Sequence, residues 1–331
     1  MRVPVLVSML LGLAAGSAVA QQQPQFTHYG FNGMYLNPGY AGVKGYGEIS
    51  TIGRYQYLGY QATLPEDQGG SPQTYLLSAT VPVKFLHGGV GGVLYRDRIA
   101  ETKITTATLS YAYHLKVGEG TLGIGVQGLY THLGKGTYRP AEPNDPAIPS
   151  ESADRKFDVG TGVWYESEKL YAGLSVNNLL RAQYRFQNVN GNDSSSVTGE
   201  NHAYLTLGYN IELTPSVVVT PTALVKMVLP GKVGDSGKFS QKSTSFELGG
   251  RATLDDKYWA GLGYRFQESF QGMLGASFTK DNALRVGYAF DFIAFNQEAR
   301  AFSSHEIMLS YRLPRPAATV RPAIRTPRYS F

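Results

Sequence analysis

The sequence predicts an all-β fold: a transmembrane outer-membrane β-barrel of about 14 antiparallel strands, with both chain termini in the periplasm. Three observations predict it. The chain opens with an export signal and has no later apolar run long enough for a transmembrane helix. Its other segments alternate apolar and polar residues, as strands with one face in lipid require. The connections between these segments alternate between short and long, which is typical of outer-membrane barrels.

Composition agrees with a β-rich membrane protein. Of the 331 residues, 39 are Gly and 23 are Tyr, and charged residues make up 17%, against about 25% in soluble domains. The chain has no Cys, which excludes a disulfide scaffold, a CxxC redox pair and Cys-ligated zinc. The net charge of +5 comes without a basic patch interleaved with aromatic residues, so no nucleic-acid partner is expected.

Residues 1–20 read as a signal peptide that is cleaved near Ala20. Arg2 gives the positive start, Val5 to Leu13 form the apolar region, and Ala18-Val19-Ala20 is a small-residue cleavage site. The alternative, an uncleaved membrane anchor, is disfavoured because this apolar run is shorter than the ~20 residues that span a bilayer.

Alternating residues then define the strands. In 103–117, for example, Leu109, Tyr111 and Tyr113 alternate with more polar residues such as Ser110 and His114. The pattern predicts strands at 46–60, 73–84, 88–98, 102–117, 121–133, 156–166, 169–178, 201–213, 216–229, 242–254, 257–266, 270–279, 282–292 and 304–313. A soluble sandwich also alternates, but it has no reason to sort short turns and long loops to opposite sides. One barrel domain, 46–313, is therefore favoured.

Two of the long connections carry turn and proline signals typical of surface loops. They contain the proline-punctuated stretch 140–146 and the polar stretch 190–196.

Charged residues inside the strands are expected to face the lumen, because a midplane Arg or Lys in lipid costs ~2–4 kcal/mol. Both signs occur, which favours a filled lumen. These residues are Arg54, Arg96, Lys103, Glu247, Arg251, Arg265, Arg285, Asp291, Glu306 and Arg312.

The sequence contains no strong motif for a cofactor, a metal ion or a catalytic site. Residues 123–128 fit G-x-G-x-x-G, but a dinucleotide site needs these glycines between a strand and a helix, and here they lie within a strand. His305-Glu306 lacks the second His of a zincin. Of the six histidines, His114 alone has a plausible lumen-facing position in mid-strand. We therefore expect that the protein is not an enzyme and that it has no catalytic residue, cofactor or metal.

The segment after the signal peptide carries a long, specific motif. Residues 24–42 read PQFTHYGFNGMYLNPGYAG, which resembles the opening P-Q-F-x-x-Y-x-x-N-x-x-x-x-N-P-A-Y-A-G of the PorP/SprF family of type IX secretion and gliding-motility membrane proteins. Gly39 stands where the family has alanine. Further similarity lies in residues 54–57, 305–311 and 327–331.

The resemblance implies an outer-membrane component of type IX secretion in a Bacteroidetes-type cell. Its implied partners are periplasmic and lipoprotein components of the system and a secreted surface protein, whose C-terminal sorting domain it helps to export or anchor. Whether the chain is the core component or a paralogue dedicated to one substrate stays open. The barrel alone also permits a passive porin or a hydrophobic-solute channel.

Residues 21–45 are expected to lie at or inside the periplasmic mouth of the barrel as a plug, since they are too apolar to float free in water. The motif residues of this segment are Pro24, Gln25, Phe26, Tyr29, Asn32, Tyr35, Asn37, Pro38, Tyr40 and Gly42.

The tail, 314–331, is expected to be an extended periplasmic docking peptide. It carries four prolines and no acidic residue, and prolines disfavour both helix and sheet. Its arginines are suited to pairing with carboxylates on a partner. They are Arg315, Arg321, Arg325 and Arg328. The alternative is a simple exit tail.

Overall fold

The structure is a computed structural model, and it describes residues 23–60, 70–136, 152–187, 193–229, 244–279, 281–295 and 301–314. The predicted signal peptide at 1–20, the proline-punctuated stretch 140–146 and the tail arginines from Arg315 onward lie outside the described residues. No helix within the described ranges is long and apolar enough to cross a bilayer.

The described chain is built almost entirely of strands. They are β1 (Glu48–Tyr55), β2 (Gln73–Val83), β3 (Gly88–Ile99), β4 (Thr102–Val117), β5 (Gly120–Lys135), β6 (Ser152–Glu166), β7 (Leu170–Asn177), β8 (Gln183–Gln187), β9 (Asp193–Thr198), β10 (Asn201–Tyr209), β11 (Ile211–Thr214), β12 (Val217–Leu229), β13 (Thr244–Leu254), β14 (Tyr258–Arg265), β15 (Ser269–Phe278), β16 (Leu284–Ile293) and β17 (Ser303–Arg312).

Fourteen of these strands close into one antiparallel barrel, which confirms the predicted barrel of about 14 strands. The first and last strands pair in register from Glu48 with Arg312 to Tyr55 with His305. On the far side β10 pairs with both β7 and β12. The short β11 continues β10 past Asn210 and also pairs with β12. Within the described residues, each of the fourteen barrel strands therefore pairs with a neighbour on both sides, as a strand in lipid requires.

The two ends of the barrel differ. Connections at one end, such as 84–87, 118–119 and 255–257, are short, and this end is called the turn end. Most connections between barrel strands at the other end, the loop end, are longer, such as 56–72 and 178–200. The last described strand finishes at the turn end, where the Leu313 backbone N–H donates to the Gly47 carbonyl at 2.8 Å.

The barrel is apolar outside and polar inside, the reverse of a soluble protein. Leu109 and Leu262 on the outer face are 74% and 75% exposed, whereas the inward Thr106 and Ser110 are buried. Large apolar side chains exposed on most of the barrel strands would aggregate in water. The outer face is therefore the surface that contacts lipid.

The connection at 179–200 differs from the prediction of a polar surface loop. Part of it forms a β-hairpin, β8–β9, that stands apart from the barrel sheet. Tyr184 and Phe186 alternate along β8 and bury against Leu133. The Asp158 carboxylate accepts the backbone N–H groups of Leu180 and Ala182 at 2.9 and 3.2 Å. Serine-rich β9 pairs through its backbone, which a composition argument does not detect.

Eight of the ten predicted lumen charges do face inward. Arg96 and Lys103 are the exceptions, and both are exposed on the outer face. The register decides this, because Tyr95 and Asp97 turn inward and so place Arg96 outward. The lipid argument fails for these two residues because they lie close to the β3–β4 turn, at the loop end.

We predict that a charge in the middle of the outer face destabilises the barrel, and that the same charge at its edge does not. Leu109→Arg should lower the free energy of unfolding by about 2–4 kcal/mol, whereas Val117→Arg, beside the turn at Gly118, should cost about 0–1 kcal/mol. Urea titration of folding into lipid vesicles measures both. Equal costs at the two positions would contradict the assignment of the lipid-facing surface.

Candidate functional site

The lumen is filled by the chain's own N-terminal residues, 23–45, which we name the plug segment. It contains three short helical turns, at Tyr29–Phe31, Gly33–Leu36 and Pro38–Tyr40. Most of its residues between Gln25 and Val43 are buried. All of the motif residues named from the sequence lie in it.

The plug segment runs along the lumen between its two ends. At the turn end, the Gly42 backbone N–H donates to the Thr80 hydroxyl at 2.7 Å. At the loop end, the Tyr204 hydroxyl donates to the Gln23 side chain at 2.6 Å, and the Lys226 ammonium donates to the Gln23 carbonyl. The plug segment therefore extends through the lumen from the turn end to the loop end, and its placement at the periplasmic mouth stays a prediction. Gln23, the first described residue, lies at the loop end, whereas Leu313 lies at the turn end.

Amide side chains fasten the middle of the plug segment. The Asn37 amide donates to the Val163 carbonyl on β6 at 2.9 Å, and its oxygen accepts the Gly39 backbone N–H at 2.8 Å. Asn32 accepts the Ser78 hydroxyl at 3.0 Å. These contacts satisfy backbone and side-chain groups that burial would otherwise leave without partners.

Aromatic and hydroxyl groups fasten the rest. The Tyr29 hydroxyl donates to Thr222 at 2.9 Å, and the Tyr40 hydroxyl donates to Glu48 at 3.3 Å. Gln25 donates to the Ser245 hydroxyl at 3.0 Å.

Within the plug segment, Tyr35 folds back on the beginning of the chain. Its ring meets Phe26 edge-on, with centroids 5.1 Å apart. Its hydroxyl donates to the Pro24 carbonyl at 2.8 Å.

Glycines let the plug segment approach the wall at two points. A Cβ on Gly39 would lie 2.7 Å from the Gly123 carbonyl oxygen, which explains why glycine replaces the alanine of the motif. Gly42 has φ +68°, and a Cβ there would lie 2.8 Å from the Gly89 Cα. Gly123 and Gly125 belong to the stretch that fits a dinucleotide motif. They lie directly against the Pro38–Gly39 backbone of the plug segment.

A buried ion network lies at the loop end of the lumen wall. The Arg54 guanidinium pairs with Asp291 at 2.6 Å and with Glu306 at 3.1 Å. Arg265 pairs with Glu247 at 2.9 Å and contacts Asp291 at 3.5 Å. All five side chains are at most 2% exposed. Asp291 therefore links two guanidiniums from β1 and β14.

The plug segment completes this network. Glu306 accepts the backbone N–H groups of Thr27 and His28, both at 2.9 Å, and its Oε1 lies 2.7 Å from His28 Nδ1. The Thr27 hydroxyl donates to Asp291 at 2.6 Å. The plug segment therefore supplies hydrogen-bond donors to two of the buried wall carboxylates, Asp291 and Glu306.

Sequence reasoning missed His28. His114 does face the lumen, where its Nε2 lies 2.8 Å from the Ala41 carbonyl oxygen. The available signal for His28 was its position beside Thr27 within an aromatic segment. Of the predicted charges, Arg251 contacts the plug segment through a cation–π interaction, 4.3 Å from the Phe31 ring centroid.

The comparisons agree with this architecture. The family described as Type IX secretion system membrane protein PorP/SprF matches residues 18–311. The chain belongs to this family. The resemblance read from residues 24–42 is thereby confirmed, and the protein is a membrane component of type IX secretion in the outer membrane. No curated protein matches the sequence.

Solved structures with a similar outline include outer-membrane proteins of Gram-negative bacteria. The Pseudomonas putida toluene transporter TodX has a TM-score of 0.47 at 11% identity, covering 85% of this chain and 93% of that chain. Acinetobacter baumannii Omp33 has a TM-score of 0.41 at 10% identity, covering 81% and 98%. A Pseudomonas aeruginosa FadL homologue has a TM-score of 0.39 at 13% identity, covering 80% and 89%.

We predict that Glu306→Gln loosens the plug segment. The substitution removes one partner of a buried charged group, a change that typically costs about 3–5 kcal/mol. Chymotrypsin should then cut after Phe26, Tyr29 or Phe31 at least about tenfold faster than in the unaltered chain, because cleavage follows the open population. Mass spectrometry of the N-terminal peptides measures the rate.

The matched control is Glu268→Gln. Glu268 also pairs with Arg265, at 3.2 Å, but its side chain is 22% exposed. Within the described ranges its hydrogen bonds are with Arg265 and Ala294, outside the plug segment. This variant should keep the cleavage rate of the unaltered chain. Equal protection of all three proteins would contradict the role given to Glu306.

Proposed function

We propose that the protein helps to export a surface protein, or to anchor it at the cell surface, by engaging its C-terminal sorting domain at the outer membrane. Membership of the PorP/SprF family supports this role. In this role the protein is a non-enzymatic component of the secretion and gliding machinery. It is exported through a signal peptide that is cleaved near Ala20.

The observation that carries the proposal is the filled lumen. A passive porin needs a continuous water-filled path, and a solute channel needs an apolar one. Here the plug segment occupies the lumen, and the charged groups at its loop end are paired with each other. One remaining cavity, beside Gln23 and Tyr184, is about 70 Å³, which has room for a few water molecules only. These features favour a secretion partner over the channel alternative.

The proposed partners are the secreted surface protein, periplasmic and lipoprotein components of the same system, and membrane lipid. We propose the periplasm as the location of the turn end, since short turns face the periplasm in bacterial barrels. The tail begins at that end, after Leu313. Its arginines Arg315, Arg321, Arg325 and Arg328 remain a predicted docking element.

The experiment combines secretion with conductance. Cells that lack the chain should lose the surface protein encoded beside it, measured by antibody labelling of intact cells. The purified barrel should give no steady open pore in planar bilayers. Replacing the four tail arginines with serine should leave barrel assembly intact but reduce both export and co-purification of periplasmic components. Intact export together with a steady pore would contradict the proposal and favour the channel.

A further inference from the structure

The outer face of the barrel carries a group of basic side chains at the loop end of strands β3 to β6. Arg96 lies opposite Thr105, Thr105 opposite His132, and His132 opposite Arg155. One step nearer the loops, Arg98 lies opposite Lys103. Directly opposed residues project on the same face, about 5 Å apart. These five side chains, which we name the cationic rim, therefore form one patch: Arg96, Arg98, Lys103, His132 and Arg155.

The cationic rim lies directly above lipid-facing residues. The next row toward the middle of the same strands contains Leu94, Tyr130 and Phe157, which are 48%, 52% and 57% exposed. A change from apolar to charged side chains within one register step marks the boundary between the hydrocarbon layer and the headgroups.

Within the described residues, the charges of Arg96, Arg98 and Lys103 have no carboxylate partner. Arg98 and Lys103 are like charges in directly opposed positions, an arrangement that destabilises a strand pair. Among the described residues, no outward position of this patch carries a carboxylate, and Arg96 and Lys103 make no ion pair. Arg155 Nε donates to His132 Nδ1 at 3.0 Å, so these two groups are held together.

The other side of the barrel shows that this arrangement is local. At the same level, the outward residues of β14 to β17 are uncharged aromatic groups and a histidine: Tyr264, Phe270, Phe292 and His305. Tyr264 and Phe270 pack with ring centroids 5.0 Å apart. An aromatic belt is the ordinary arrangement at a membrane interface, so the concentration of cations on β3 to β6 needs an anion to explain it.

We propose that the cationic rim binds the phosphate group of a lipid in the leaflet at the loop end, with the acyl chains lying against Leu94, Tyr130 and Phe157. Guanidiniums bind phosphate oxygens with two parallel hydrogen bonds, and Arg96 and Arg98 project on the same side of β3. Bound phosphate removes the repulsion between Arg98 and Lys103. This lipid site goes beyond the proposed secretion role and does not depend on it.

The test uses the folded barrel in phosphatidylcholine nanodiscs. The added probe is lipid A with its phosphate groups or the same lipid after their enzymatic removal, and bound lipid is counted by native mass spectrometry. The unaltered protein should bind the phosphorylated form at least about tenfold more tightly, as expected for several charge-assisted hydrogen bonds. The variant Arg96→Gln/Arg98→Gln/Lys103→Gln should lose that preference.

The matched control removes three positive charges at the turn end: Lys84→Gln/Lys169→Gln/Lys257→Gln. It should keep the preference for the phosphorylated lipid. Heat-dependent gel mobility confirms that each variant is folded. The proposal is wrong if the unaltered protein binds both lipids equally, if both variants lose the preference equally, or if inorganic phosphate at millimolar concentration displaces the lipid completely. The comparison of the two lipids on the unaltered protein tests the proposal even if a variant does not fold.

Discussion

Glu306 joins the two parts of the molecule. On one side its carboxylate pairs with Arg54 of the barrel wall, and on the other it accepts the backbone N–H groups of Thr27 and His28 in the plug segment. A fully buried carboxylate is costly unless it is paired and fully hydrogen-bonded. The wall therefore needs the plug segment to satisfy Glu306, and the plug segment needs Glu306 to satisfy its own backbone.

This interdependence places the plug segment in the structural core. The lumen wall is largely polar, but it also presents apolar side chains such as Trp164 and Trp259. The plug segment packs against them, with Phe31 against Trp259 and Tyr40 against Trp164, at centroid distances of 5.2 and 5.1 Å. The glycines of β3 and β5 permit this contact because their missing side chains leave room for the plug backbone. The contacts that stabilise the plug segment against the barrel wall also close the lumen.

The strands could be predicted from the sequence because one physical rule, lipid outside and polar groups inside, acts on every residue. The ion network was predicted only as a set of lumen charges, since which charges pair depends on the shear of the barrel. His28 could not be found from alternation because it lies outside any strand. Arg96 and Lys103 were placed wrongly because alternation gives relative, not absolute, direction near a strand end. The β8–β9 hairpin was missed because tertiary contacts with Leu133 and Asp158 stabilise it.

The most direct test of the filled lumen is thiol labelling. The chain has no cysteine, so a single introduced thiol reports on one site. Met34 in the plug segment is 2% exposed, and Phe85 at the turn end is 82% exposed. In the folded barrel, Met34→Cys should react with a water-soluble maleimide at least about a hundredfold more slowly than Phe85→Cys, and in urea equally fast. Equal rates in the folded barrel would contradict a lumen closed by the plug segment.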